Sequence, residues 1–280
     1  FPHWENRDIA DINRADITKL LDNIANNHGP YQANRALATI RKLFNWACVR
    51  GTIQFIPIFT GIARSEKPRE RVLANEEIVK FWQTCERIGY PFGHLFKLCL
   101  LTGQRRVEIA GMKWSQINII KKVWKLPSHA TKMKREHLVP LNTMAVELIE
   151  LMPRYADKDL LFATQWSNDR PVSGFTNAKK RFSDIKDWQL HDLRRTVRTS
   201  LGQLKIPYVI CNKVLGYYDR NVEKHYDVYE YIDEKRDALE KWSDRLTSIL
   251  SENVVVLDTK RKRRKLHCCR NLLRRNTRVS

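Results

Sequence analysis

The sequence predicts a mainly α-helical chain with one small antiparallel β-sheet, an α+β architecture divided into two domains. Apolar residues recur at three- and four-residue spacing over most of the length, the mark of amphipathic helices. Strand-like patterning is confined to two short stretches, 117–125 and 137–141. No internal repeat and no regular alternation of strands with helices is present, which argues against a doubly wound nucleotide-binding fold.

Taken in order, residues 15–50 predict two helices, Asp16 to Asn26 and Pro30 to Val49, separated by Asn27-His28-Gly29. Leu20, Leu21 and Ile24 stripe the first; Leu37, Ile40, Phe44 and Ala47 stripe the second. Residues 1–62 thus form a helical module. The charged stretch from Ala63 to Arg71 lacks apolar periodicity and reads as a linker, placed at 63–72. Asn75 with Glu76 and Glu77 reads as an N-cap, opening a helix with Ile78, Phe81, Trp82 and Cys85 inward. A further helix runs from about Pro91 to Leu101 and stops near Gly103. Lys132-Met133-Lys134-Arg135 then separates Ile117–Lys125 from His137–Leu141 as in a small hairpin. Residues 142–250 read as mostly helical, completing a second domain over 73–250, and 251–280 read as a disordered basic tail.

Composition narrows the function class. The chain of 280 residues carries 51 Lys and Arg against 31 Asp and Glu, a net charge of +20. The tail holds ten basic residues and two acidic ones, so +8 belongs to it and +12 to the remainder. A body this basic points to a polyanionic partner, and nucleic acid is the default. No run reaches the ~18 apolar residues of a membrane span, so no membrane partner is expected and a soluble intracellular protein is. The six cysteines include no CxxC pair, and no carboxylate cluster has metal-ligand spacing.

Three segments carry groups suited to phosphate chemistry. In Thr102-Gly103-Gln104-Arg105-Arg106-Val107-Glu108, the glycine ends one helix and a new one begins, which puts Arg105 in a first turn with free N–H groups. Glu108 lies three residues on and can orient its guanidinium. An ordinary surface ion pair gives the same pattern. In Leu190-His191-Asp192-Leu193-Arg194-Arg195, positions 191, 194, 195 and 198 share one helical face, with Leu193, Val197, Leu201 and Leu204 on the core side. A solvated basic face is the bland alternative; a guanidinium that forks a phosphate beside an imidazole is the functional one. The third segment crowds Tyr217, Tyr218, Tyr226, Tyr229 and Tyr231 into fifteen residues after Leu215-Gly216, where tyrosine packing is the usual explanation.

Together these segments resemble the tyrosine recombinases, the phage and genomic-island integrase family, over nearly all of residues 1–250. Thr102-Gly103-x-Arg105-x-x-Glu108, followed by Met112-x-Trp114, is similar to the family's first arginine motif. Thr131-Lys132-Met133-Lys134 before His137-Leu138-Val139-Pro140-Leu141 is similar to the hairpin with the family's catalytic lysine, which gives Lys132 that role. His191-x-x-Arg194 matches the HxxR box, and Tyr226, nine residues after Tyr217, matches the nucleophile. Tyr217 stands where the family has His or Trp, a departure compatible with reduced or altered activity but not implying its loss, since a phenol still donates one hydrogen bond.

The resemblance implies an enzyme, a site-specific integrase that cleaves and rejoins DNA through a 3′-phosphotyrosine link. Arg105 and Arg194 would neutralise the scissile phosphate, supported by Glu108; His191 would hydrogen-bond it, and Lys132 would protonate the leaving 5′-oxygen. Exchange of one phosphodiester for another requires neither ATP nor metal, so no cofactor is expected. Residues 1–62 would bind the core site of a double-stranded attachment sequence. The implied partners are a homotetramer on DNA and accessory directionality or DNA-bending proteins, in a bacterial, cytoplasmic, nucleoid-associated setting. By the same analogy the segment from Asp233 to Leu250 would dock on a neighbouring subunit or pack on its own domain. Many such integrases carry a further N-terminal arm-binding domain; this chain starts too late to hold one, as expected either of a fragment or of a short member. A catalytically impaired DNA-binding relative and a type IB topoisomerase are the competing readings.

Overall fold

The computed structural model describes residues 4–57, 64–65, 69–163, 170–217 and 229–252. Tyr226, Tyr218, part of the expected linker and the basic tail beyond residue 252 lie outside them. The chain divides into two compact units, Phe1–Arg69 and Glu70–Ser280.

The first unit is a helical hairpin of α1 (Arg14–His28) and α2 (Pro30–Val49). α1 begins two residues earlier than its apolar stripe suggests, because Asn13 caps it: the Asn13 side chain accepts from Ala15 and Asp16, and the Asp16 carboxylate accepts in return from the Asn13 N–H. The turn is confined to Gly29, followed by Pro30 at the first helical position. Ile17, Leu21, Leu37, Ile40, Phe44 and Ala47 meet in its core, whereas Leu20 and Ile24 are only half-buried. At roughly 1.5–3 kcal/mol for each large side chain buried, this stripe, rather than intrinsic propensity, holds the pair together.

The second unit is built around α4 (Phe92–Thr102), apolar except for Thr102 and the partly buried His94 and Lys97, which packs on α3 (Asn75–Ile88), α5 (Arg106–Ala110), α6 (Thr143–Glu150) and α8 (Leu190–Gln203). Asn75 is the first residue of α3 and not its cap. The chain turns at Ala74, whose N–H donates to the Glu77 carboxylate at 2.9 Å, so the third helical residue reaches back to the cap while, among the described residues, no side chain caps the first helical N–H groups. Phe81, Phe96, Phe182 and Trp188 pack ring against ring at 5.2–5.7 Å.

The sheet has three strands where two were expected. Residues 117–125 are not one strand but a hairpin, β1 (Ile117–Asn118) and β2 (Val123–Leu126), turning through Lys122 at φ 50°. β3 (His137–Pro140) pairs antiparallel with β2, in the order β1-β2-β3. Trp124, Leu126, His137 and Val139 are all buried, and this apolar face directs the sheet against the helices.

Short helices α7 (Phe175–Lys179) and α9 (Tyr208–Val214) follow, with α10 over residues 232–252. The expected mostly helical stretch is interrupted by non-helical chain before and after α7. α10 packs on its own unit. Ala238, Leu239, Trp242, Leu246 and Ile249 join the main core, Trp242 donates its indole N–H to Leu100 O at 2.8 Å, and Asn142 bridges Leu101 O and Leu239 O. Among the described residues no helix is long and apolar enough to cross a membrane.

Candidate active site

Gly103 is where the site begins. It caps α4 at φ +68°, and a Cβ there would stand 2.8 Å from a Leu215 methyl and 3.0 Å from one of Val197. Only glycine permits both the left-handed turn and this approach. The turn carries Arg105 to the N-cap position of α5, one residue before the first helical turn assigned to it. Glu108, buried, accepts from the Arg105 backbone N–H at 2.9 Å and from its Nη1 at 2.8 Å. Glu108 therefore holds both the backbone and the guanidinium of Arg105.

α8 supplies His191 and Arg194, but they do not share a displayed face. Arg194 is 3% exposed and turns inward: Nη1 donates to Gly103 O at 2.8 Å and Nη2 donates to Leu215 O. His191 stays exposed at the mouth of a cavity of about 490 Å³ lined also by Gln104, Arg105, Lys179 and Arg194. The alternation of apolar residues on α8 could not reveal this inward turn, because the partners are backbone carbonyls from two other parts of the chain.

The two guanidiniums converge on one aromatic ring. The Arg194 carbon lies 4.8 Å and the Arg105 carbon 5.6 Å from the centre of the Tyr217 ring. Burial raises the pKa of the Tyr217 phenol, but the charge of Arg194, its hydrogen bond, and the charges of Arg105 and Lys132 outweigh burial and leave it below its usual value. Lys132, exposed in the β2–β3 loop, thus faces the same phenol electrostatically. Burial and the charges of Arg194 and Arg195 lower the pKa of His191, which favours a neutral imidazole able to accept a proton. Burial likewise lowers the pKa of Arg194, with Tyr217 acting in the opposite direction. Its Nε has no partner among the described residues. A buried guanidinium with a spare donor suits an oxyanion.

A family model described as Phage integrase family matches residues 71–231, more than half of the chain. The chain belongs to the phage integrase family. Prophage integrase IntA of Escherichia coli (strain K12) is 26% identical to this family member over 243 residues, 81% of this chain and 59% of that protein. Prophage integrase IntZ of the same organism is 24% identical over 263 residues, 90% of this chain and 64% of that protein. The chain thus spans about three fifths of the length of these two integrases. Two solved structures share its fold. A lambda integrase (75–356) dimer bound to a COC′ core site superposes with a TM-score of 0.61 at 20% identity, covering 76% of this chain and 81% of that one. XerH site-specific recombinase bound to a difH substrate gives 0.58 at 18%, covering 75% and 66%.

Sequence reasoning passed over two polar residues behind this integrase-family site. Gln104, 2% exposed, and His137, 3% exposed, both reach the Val214 carbonyl, Gln104 Nε2 donating at 2.7 Å and His137 Nε2 lying at 3.2 Å. The one sequence signal for His137 is a titratable residue on the apolar face of a strand. Burial, then the Lys235 charge, pushes its pKa from 6.5 down to about 3. The folded ring is therefore neutral, whereas the unfolded chain takes up a proton near 6.5. The associated stability is complete above about 6.5 and is lost as pH falls toward about 3, at up to about 1.4 kcal/mol per pH unit. In urea titrations at about pH 4.5 and pH 7, His137→Gln should lose less stability on acidification than the parent. Equal losses would contradict a neutral buried ring.

Proposed function

We propose that this chain is a site-specific DNA recombinase that cleaves and rejoins strands through a covalent phosphotyrosine intermediate. The observation that carries the proposal is the convergence of Arg105 and Arg194, held by different elements, on one phenol beside a cavity lined by His191. A scissile phosphate in that place would meet two guanidiniums, each able to fork two oxygens as charge builds at the transition state. Tyr226, outside the described residues, is the proposed nucleophile. A free phenol is only about 0.1% ionised at neutral pH, a cost of roughly 4 kcal/mol, part of which cations gathered at the scissile phosphate would offset. Lys132 donates a proton to the leaving 5′-oxygen, and His191 hydrogen-bonds the phosphate and can accept the nucleophile's proton.

The helical unit, residues 1–62 in this reading, contacts the core site. Its helix α2 and the C-cap Arg50 expose Tyr31, Arg35, Lys42, Trp46 and Arg50 at four- and seven-residue spacing, with Arg35 over Tyr31 at 4.7 Å and Arg50 over Trp46 at 4.8 Å. Cations lying on aromatic faces form a surface suited to phosphate contact and stacking. Residues 63–72 join this unit to the catalytic domain at 73–250. Lambda integrase is described as a tetramer bound to a Holliday junction, which supports a homotetramer on DNA; accessory directionality or DNA-bending proteins and a cytoplasmic, nucleoid-associated setting complete the reading.

The test is covalent capture on nicked duplexes tiled across the DNA flanking the gene, with and without EDTA. An SDS-resistant protein–DNA adduct on one duplex, unchanged by EDTA, is expected. Tight binding with no adduct on any duplex would overturn the enzymatic reading in favour of a DNA-binding relative. Relaxation of supercoiled DNA regardless of sequence would instead indicate a topoisomerase.

A further inference from the structure

The end of α9 has a hydrogen-bonding problem with an unusual solution. A helix leaves its last carbonyls without backbone donors. Here Gly216 N–H donates to Lys213 O at 3.1 Å and Tyr217 N–H to Asn212 O at 2.9 Å, with Gly216 at φ +63°, the pattern of a Schellman motif. Val214 O and Leu215 O remain. They are taken by side chains from three other segments: Gln104 Nε2 and His137 Nε2 at Val214 O, and Arg194 Nη2 at Leu215 O.

We propose that Gln104 and His137 are positioning residues, which pin the α9 terminus through the Val214 carbonyl and so hold Tyr217 against the Arg105 and Arg194 guanidiniums. The catalytic consequence rests on the recombinase reading; the placement of Tyr217 does not. Gln104 is itself anchored, its Nε2 also donating to Thr102 O at 3.0 Å. The His137 ring lies against Gly216, where a Cβ would stand 3.2 Å from the ring carbon Cδ2, so the ring sets the height of the residue preceding Tyr217. The carbonyl at Nε2 requires the tautomer with hydrogen on Nε2.

The cost of this arrangement argues against simple packing. Gln104 Oε1, His137 Nδ1 and Arg194 Nε are buried without partners among the described residues, and each such atom is expensive to desolvate. Apolar side chains would fill the same space at lower cost, but they could not fix a carbonyl. One residue along β3, Leu138 O accepts from Lys235 Nζ at 2.8 Å, with Lys235 itself only 1% exposed. β3 therefore ties down both α9 and α10, the elements that flank Tyr226 in sequence.

The proposal is tested in chain labelled with 3-fluorotyrosine, the Tyr217 resonance being identified by its loss in Tyr217→Phe. In His137→Leu the Tyr217 titration should move up toward that of an ordinary phenol, and single-turnover adduct formation should slow about tenfold, as loss of one well-placed hydrogen bond allows, with DNA affinity retained. His137→Gln, whose Nε2 reaches the same carbonyl, should restore both. Gln104→Met should shift both in the same direction and carries the test if His137→Leu does not fold. An unmoved Tyr217 titration in His137→Leu and Gln104→Met, or a His137→Gln variant no better than His137→Leu, would overturn the proposal. If the parent chain forms no adduct, the recombinase reading fails, while the fluorine titration still decides whether the clamp exists.

Discussion

Arg194→Lys should slow formation of the covalent DNA adduct by about 10²–10³-fold, the usual loss for one preorganised donor to a developing oxyanion. Arginine has five N–H donors in a fixed fork. Two of them hold Gly103 O and Leu215 O and the guanidinium also hydrogen-bonds the Tyr217 phenol, while Nε, without a partner among the described residues, is left for a phosphate. A lysine has three donors on a point charge and cannot hold both carbonyls and the phosphate at once. Burial already disfavours the cation at this position, and a bound phosphate would repair that. Single-turnover capture gives the rate, and anisotropy at fixed salt gives the affinity, which should fall much less because most binding comes from phosphate contacts elsewhere. Equal losses in rate and affinity would mean that Arg194 binds the ground state alone. Thermal melts separate either result from unfolding.

Tyr226→Phe should abolish the adduct while leaving DNA affinity within about twofold, since removing the hydroxyl of the proposed nucleophile takes away the bond-forming atom and little else. Tyr217→Phe is the informative partner. Its phenol lies beside both guanidiniums and is more acidic than an ordinary tyrosine, so it has the surroundings a nucleophilic phenol needs. If its role is to donate a hydrogen bond to the phosphate, Tyr217→Phe still forms the adduct, about tenfold more slowly. The reverse outcome, capture by Tyr226→Phe and none by Tyr217→Phe, would transfer the nucleophile to Tyr217. Peptide mapping of the trapped adduct settles the same question directly.

The legibility of the fold followed the physics of each element. α2 was readable residue for residue because Pro30 and the stripe Leu37, Ile40, Phe44 and Ala47 are local signals. α1 was misplaced at its start because its boundary depends on a reciprocal bond between Asn13 and Asp16. The first β-segment was read as one strand because Lys122 at positive φ breaks it without a glycine to announce the turn. In α3 the cap position falls on Ala74 and the first turn is tied instead by Glu77, which accepts from the Ala74 N–H, a donor different from those an N-cap Asn would have satisfied.

The site divides in the same way. Arg105, Glu108, His191 and Arg194 could be named from their spacing, Lys132 and Tyr217 only from the resemblance to tyrosine recombinases, and the structure places Arg105, Glu108, His191, Arg194 and Tyr217 together, with Lys132 in electrostatic reach. What spacing could not supply was the direction of Arg194 or the roles of Gln104 and His137. Gln104 looks like a variable position between a glycine and an arginine, and His137 like one more residue of a strand.

The sequence by itself determined the charge, the helical periodicities and the order of the candidate site residues, because each is a property of neighbours along the chain. Tertiary structure alone decided that α10 packs on its own unit and that Arg194 is buried. It also decided that a carbonyl at the end of α9 is shared by a glutamine and a histidine from different segments. Those outcomes depend on which backbone carbonyls are left without donors once the helices have formed and packed, and no local pattern records that.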